Sequence, residues 1–298
     1  MFRLIAVCLA VFGGAWQSAK ADVMDVDVSA VDPAFRSYFK AAESFWESRL
    51  VGYSGNLPTG VKRQLAKLQI SASTAAIDGA GGVLGQAGPN QILRYGGGTA
   101  NGRPFPQIAI AQAGTMQFDT ADLGNMLQNG TLENVIRHEM AHVLGIGTLW
   151  DDNGLRNATA RGDYIGKHGL AAYRIESKNR FAGVVPIEQL GGPGTAGGHW
   201  DSLDPFFNQR AKNNSSELMI GSIGAGEVKF TSETTWGSLR DMWFGFKGDS
   251  NVWRVKSRTA FVQPPKRSQF MTAVPEPGSA GVLLIGTVIA AFGFRRRK

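Results

Sequence analysis

Two histidines four residues apart, with a glutamate between them, constrain this chain more than any other feature. His138-Glu139-Met140-Ala141-His142 lies in a stretch where Leu132, Val135, Ile136, Met140 and Val143 recur at the period of a helix. Residues four apart on a helix share a face, so the spacing predicts a helix over 132–144 with both imidazoles projecting side by side. Asn129-Gly130 reads as a turn ahead of it, and Thr131 stands where an N-cap is wanted. Gly145 falls just past the last apolar position, where a left-handed stop carries little strain. Two imidazoles so placed can hold one zinc ion from one side. Zinc lowers the pKa of a bound water to about 7. Glu139, next to the first imidazole, is then the candidate general base, taking that water's proton and passing it to a leaving amine.

A catalytic zinc site takes a third protein ligand and keeps a fourth position open. Three kinds of third ligand are on offer. One is a glutamate on a second helix, for which Glu176 is the candidate; another is an aspartate, Asp163 or Asp204. The last is a histidine arriving from a loop beyond a sharp glycine turn, and Gly145, three residues after His142, supplies that turn. The chain has four histidines, so this class leaves His168 and His199. His168 sits in Lys167-His168-Gly169, which reads as an exposed turn. His199 sits in Gly197-Gly198-His199-Trp200, where glycines let backbone approach closely, and is the stronger candidate. Met219, within Glu217-Leu218-Met219-Ile220-Gly221, is expected in a tight turn beneath the metal, offering a soft apolar floor. Asp151, Asp152 and Asn153 carry the oxygen donors that calcium takes, which raises a structural Ca2+ as a second metal.

The remaining pattern is mixed. Phe35, Tyr38, Phe39, Ala42, Phe45 and Trp46 recur at helical spacing, while Leu68, Ile70 and Ala72 alternate as in a strand. Gln107–Ala111 and Thr115–Phe118 are two further short strand candidates, and Leu170–Ser177 is a helix candidate. Ser238–Trp243 reads as the start of a final helix. The glycine-rich stretches 79–88, 96–98 and 191–198 are expected as loops. None carries the lysine and hydroxyl residue of a phosphate-cradling loop.

Both ends read as address labels. Residues 1–21 combine Arg3, an apolar run from Leu4 to Trp16 and the small-x-small site Ala19-Lys20-Ala21, the pattern of a signal peptide. Residues 274–298 begin Val274-Pro275-Glu276-Pro277, continue with an apolar stretch from Ser279 to Phe294, and close on Arg295, Arg296, Arg297 and Lys298. This tripartite order resembles the PEP-CTERM sorting signal. The resemblance implies a short transmembrane helix, handling by exosortase-type machinery, and delivery to the cell envelope, cell surface or extracellular matrix. Without these ends, 25 of the 31 basic and 23 of the 24 acidic residues remain. The formal charge of +7 therefore reflects mostly targeting, and no nucleic-acid partner is implied. Cys8, the single cysteine, lies in the signal, so the processed chain of residues 22–273 forms no disulfide and must be held by packing and metal.

Taken together, Arg137–Trp150 (RHEMAHVLGIGTLW), Gly191–Trp200 (GGPGTAGGHW) and Glu217–Gly221 (ELMIG) resemble the metzincin zinc peptidases, and within them the leishmanolysin-like bacterial group. The long separation between Gly145 and His199 is similar to the insertion that group carries. Ile77–Pro89 and Met116–Leu123 also look like stretches of it, so the resemblance runs from about Phe39 to Trp243. It implies an α+β catalytic domain with a twisted sheet, a zinc-binding active-site helix and a lower lobe carrying the methionine turn. It also implies endopeptidase activity on protein or peptide substrates. Many metzincin proforms are silenced by a cysteine on zinc, which this chain lacks after processing; residues 22–61 are then the expected propeptide-like cover. Two rival functions stand beside this one. The first is a non-catalytic surface or matrix protein with a structural zinc, and the second is a zinc hydrolase of non-peptide bonds.

Overall fold

The structure is a computed structural model that describes residues 23–96, 99–100, 103–104, 107–255 and 272–275. Residues 1–21, expected as a signal peptide, and the apolar helix and basic cluster expected beyond Pro275 lie outside the described residues. Among the described residues no helix is long and apolar enough to cross a membrane.

Helices and sheets are mixed. In chain order the elements are β1 (Met24–Ala30), α1 (Arg36–Glu47), β2 (Leu50–Ser54), α2 (Thr59–Gln64), β3 (Leu68–Ala75), β4 (Val83–Tyr95), β5 (Thr99–Ala100), β6 (Arg103–Pro104) and β7 (Ile108–Asp119). The second half adds α3 (Leu123–Gln128), α4 (Leu132–Leu144), α5 (Lys167–Glu176), β8 (Asn208–Gln209), α6 (Arg210–Asn213), β9 (Ser215–Glu217) and β10 (Val228–Phe230). It closes with α7 (Glu233–Asp241), β11 (Phe244–Phe246), β12 (Val252–Trp253) and β13 (Thr272–Pro275). The main sheet has the order β1-β3-β7-β4-β13. β1, β3 and β7 run parallel, and β4 is antiparallel to both its neighbours. Of two three-stranded sheets, β10-β9-β8 belongs to the later part of the chain, and β11-β2-β12 joins the early strand β2 to two of the last strands.

The site helix α4 lies across β4 and β7 and packs against α1. Its apolar stripe, Leu132, Val135, Ile136, Met140 and Val143, is buried as its period requires. α1 turns Phe39, Ala42 and Trp46 inward. Phe39 meets Phe118 of β7 edge to face at 5.2 Å, and the Trp46 indole donates to the Arg137 carbonyl on α4 at 3.2 Å.

Several expectations need correction. Of residues 22–61, expected as a propeptide-like cover, the described residues 23–61 include β1, α1 and β2, and their Met24, Val26, Phe39, Trp46, Leu50 and Tyr53 belong to the core. Truncating a buried aromatic of this kind costs about 3–5 kcal/mol, so the segment is structural and its removal would open the core. The glycine-rich stretch 79–88, expected as loop, enters β4 at Val83. The two strand candidates at 107–118 are one strand, β7. The final helix starts at Glu233, capped by the Ser232 side chain, which accepts from the Thr235 N–H; Ser238 lies near its end. Thr131 occupies the N-cap position of α4, but its hydroxyl donates back to the Met126 carbonyl at 3.4 Å. The chain enters α4 directly from α3 through Gly130 at φ +68°, which leaves the threonine facing the preceding turn.

Candidate metal centre

α4 sets His138 and His142 one turn apart on its buried face and ends at Gly145, which adopts φ +115°. That left-handed turn reverses the chain so that the Ile146 carbonyl faces back to His142 and accepts from its Nδ1 at 2.8 Å. Gly147 follows at φ +75°, and a Cβ there would run into the Gly198 carbonyl. The chain leaving α4 thus lies directly against the loop that carries His199. This close approach fixes the third imidazole, and Gly147 had no signal of its own in the sequence.

His199 is held on both flanks. Its carbonyl accepts from Glu188 N–H at 2.9 Å, and the next residue, Trp200, donates its N–H to the Met219 carbonyl at 3.0 Å. The Trp200 indole packs against Trp150 at 4.7 Å with the rings tilted by 31°, and donates to Thr235 Oγ1 at 2.8 Å. The turn at 217–221 then touches the site through its backbone. The Leu218 carbonyl accepts from His138 Nδ1 at 2.7 Å, and a Cβ on Gly221 would strike the Thr195 side chain and lie in ordinary contact with the His199 ring at 3.5 Å. Met219 is fully buried in this turn. Glu217 secures it: its buried carboxylate accepts from Thr235 Oγ1 at 2.6 Å, from the Ser232 N–H and hydroxyl, each at 3.1 Å, and from the Met219 N–H. Glu217 was legible only as part of the turn; its anchoring role needs residues 232 and 235.

The three imidazoles converge. His138 Nε2 lies 2.9 Å from His142 Nε2 and 3.0 Å from His199 Nε2, and the last two are 3.1 Å apart. Each Nδ1 faces a backbone carbonyl, that of Leu218, Ile146 or Thr195. Nδ1 therefore carries the proton in all three rings, and the Nε2 lone pairs point at one another. Three converging lone pairs repel unless a cation sits among them. Tetrahedral zinc with bonds of 2.0–2.1 Å separates its ligand nitrogens by about 3.3 Å, close to the spacing seen. Among the described residues this is the one cluster of three metal-ligating side chains.

Burial holds His138 and His142 well below the ordinary imidazole range, reinforced by the neighbouring rings, and burial brings His199 down to about 4. Protons compete with a metal for the same Nε2 atoms, so a lowered pKa postpones that competition to lower pH. Zinc content after equilibration at graded pH is expected to hold its neutral value down to about pH 5 and to fall toward pH 4. A loss centred near the ordinary histidine value would count against this environment.

Glu139 is fully buried, and neither carboxylate oxygen has a protein partner. Burial pushes its carboxyl well above the usual range. A buried, unpartnered carboxylate is costly, and a cation held by the imidazoles of the same helix would relieve it. Gly85 of β4 makes room for it. A Cβ there would lie 3.0 Å from Glu139 Cγ and 3.2 Å from both Oε1 and Phe118 Cδ1. Gly85→Ala is expected to retain metal while lowering peptide hydrolysis about tenfold, because a small displacement of a reacting group is costly; zinc analysis and kcat/KM together check it.

The other candidate ligands are engaged elsewhere. Glu176 accepts from the Glu233 and Thr234 N–H groups at the start of α7. Asp163 pairs with Arg161, and Asp204 accepts from the Tyr173 hydroxyl. His168 is exposed in the first turn of α5. The calcium expectation is also corrected. Asp151 pairs with Arg156, Asp152 with Arg94, and Asn153 bonds the backbone of Ala109 and Leu149, so the three side chains diverge to separate partners.

No curated protein matches the chain. The model of the PEP-CTERM protein-sorting motif matches residues 273–298. That motif is recognised by exosortase-type sorting machinery, and with it this chain is an exported protein of the cell envelope or surface.

Proposed function

We propose that the chain is a zinc-dependent endopeptidase of the metzincin type, similar to the leishmanolysin-like bacterial group, with His138, His142 and His199 as ligands and Glu139 as general base. Two observations carry the reading: three Nε2 atoms lie within 3.1 Å of one another, and Glu139, the residue after His138 on the same helix, has a buried carboxylate with no partner. A site that only stiffened the fold would have no use for such a group.

Zinc bound there supplies Lewis acidity, lowering the pKa of a coordinated water to about 7 and polarising a carbonyl. The chain's own groups do the rest. The carbonyls of Leu218, Ile146 and Thr195 keep each imidazole in the tautomer that presents Nε2. Glu139 takes the proton of the attacking water and hands it to the leaving amine. Burial raises the Glu139 carboxyl, and positive charge held by the three imidazoles would oppose that shift. The Gly145 and Gly147 turns hold the two halves of the ligand set in register.

The test is zinc content and casein hydrolysis of the purified chain, with and without a chelator. About one zinc per chain is expected, with hydrolysis abolished by chelation and restored by zinc. Bound zinc with no hydrolysis of peptide bonds would favour the structural-zinc surface protein.

A further inference from the structure

Strand β4 is bordered by β7 on one side and by β13 on the other. The β13 pairing is antiparallel, with Thr272 opposite Ala87, Ala273 opposite Gln86, Val274 opposite Gly85 and Pro275 opposite Val83. Gly85 is the residue against which the Glu139 carboxylate stands. The helix α4 approaches both β4 and β13. The backbone of this short strand therefore runs along the sheet edge next to the general base, with its main-chain groups directed to β4.

An extended peptide docks on a sheet edge through those same main-chain groups. A peptide cannot use the stretch Val83–Ala87 while Thr272–Pro275 is paired there. His138, Glu139, His142 and His199 are all buried, whereas hydrolysis requires a peptide carbonyl to reach them. Three of the four β13 residues, 273–275, also lie within the matched sorting motif. The strand on the edge and the segment addressed by the sorting machinery are therefore the same piece of chain.

We propose that Thr272–Pro275 of this chain is a resident strand on the outer edge of β4 beside Glu139, closing that edge to an extended peptide until the sorting tail is drawn away. The placement rests on strand register; its consequence for activity rests on the peptidase reading above. Envelope sorting would then unmask the site, because engaging the tail removes a strand from β4. A tethered occupant competes at a millimolar effective concentration, enough to suppress a weakly bound peptide about tenfold.

The test compares the full chain with a full-length Ala273→Pro/Val274→Pro variant, in which adjacent prolines remove the strand's N–H donors in either phase. The probe is a fluorescent peptide with the sequence of residues 270–277. It is expected to bind the double-proline chain at least about tenfold more tightly than the unaltered chain. In the unaltered chain alone, outward-facing amides of Val83–Ala87 are expected to exchange slowly with deuterium. Equal binding to both chains, or binding to neither, overturns the proposal. The exchange measurement on the unaltered chain stands even if the variant folds poorly, and rapid exchange of every outward amide overturns it too. Neither readout depends on hydrolysis. A binding contrast without casein hydrolysis supports the strand and defeats the peptidase reading. Chelator-sensitive hydrolysis that is equal in both chains, without a binding contrast, does the reverse.

Discussion

Glu139→Gln is expected to keep its zinc and to lose casein hydrolysis by about 10²–10⁴-fold, the contribution of a positioned general base. The amide has the size of the carboxylate and meets the same wall at Gly85, so the three imidazoles are undisturbed. What disappears is a group that can accept a proton from water and release it to an amine. A thermodynamic signature accompanies the kinetic one. In the metal-free chain the folded carboxyl holds its proton above the usual 4.5, because it is fully buried. The folded state then binds more protons than the unfolded one, so this residue's contribution to stability falls as pH rises from about 4.5 through the folded value. Glu139→Gln removes that loss, and the metal-free variant is expected to melt no lower than the parent at neutral pH and higher at alkaline pH. Thermal melts across pH, with zinc analysis and kcat/KM, check each part. A variant that cuts casein at the parental rate would remove Glu139 from the chemistry.

His199→Ala is expected to release the metal, and His168→Ala to keep it. Removing only a hydrogen-bond partner of a ligand weakens metal binding about 10–100-fold, so deleting the ligand itself exceeds that. A 100-fold loss in affinity forfeits about 2.7 kcal/mol of stabilisation at a fixed zinc concentration. The Thr195 carbonyl also loses its buried donor, at a cost of about 1–3 kcal/mol. For a chain of this size the sum lowers the melting temperature by roughly 7–20 °C. His168 is an exposed residue with no contact to the other imidazoles, and its replacement is expected to stay within about 0.5 kcal/mol. Calorimetry with saturating zinc and metal analysis of both variants decide the assignment; metal loss from His168→Ala with retention in His199→Ala would reverse it.

The glycines show where sequence reading stops. At Gly145 the residue type and the preceding apolar period belong to the same helix end, and a left-handed turn follows from local physics. Gly85 and Gly114 look like the same punctuation but sit inside strands. Gly85 clears space for Glu139, and a Cβ at Gly114 would strike Val143 and the Gly88 carbonyl. Those needs come from an element that packs on the sheet from elsewhere in the chain, so Gly85 was read as loop and Gly114 as a gap between two strands. The Asp151-Asp152-Asn153 triplet failed for a similar reason. Each side chain found its own partner, and adjacency in sequence did not become convergence in space.

By itself the sequence determined the helix 132–144, the shared face of His138 and His142, the position of Glu139 and the stop at Gly145, because period, spacing and turn preference act within a few residues. Tertiary structure alone decided that His199, 57 residues beyond His142, completes the cluster and that His168 does not. It also decided that β1, α1 and β2 contribute to the core and that β13 lies on β4. These outcomes depend on close backbone approach, at Gly147 against Gly198 and at Gly85 beside Glu139, between segments whose meeting no local preference encodes.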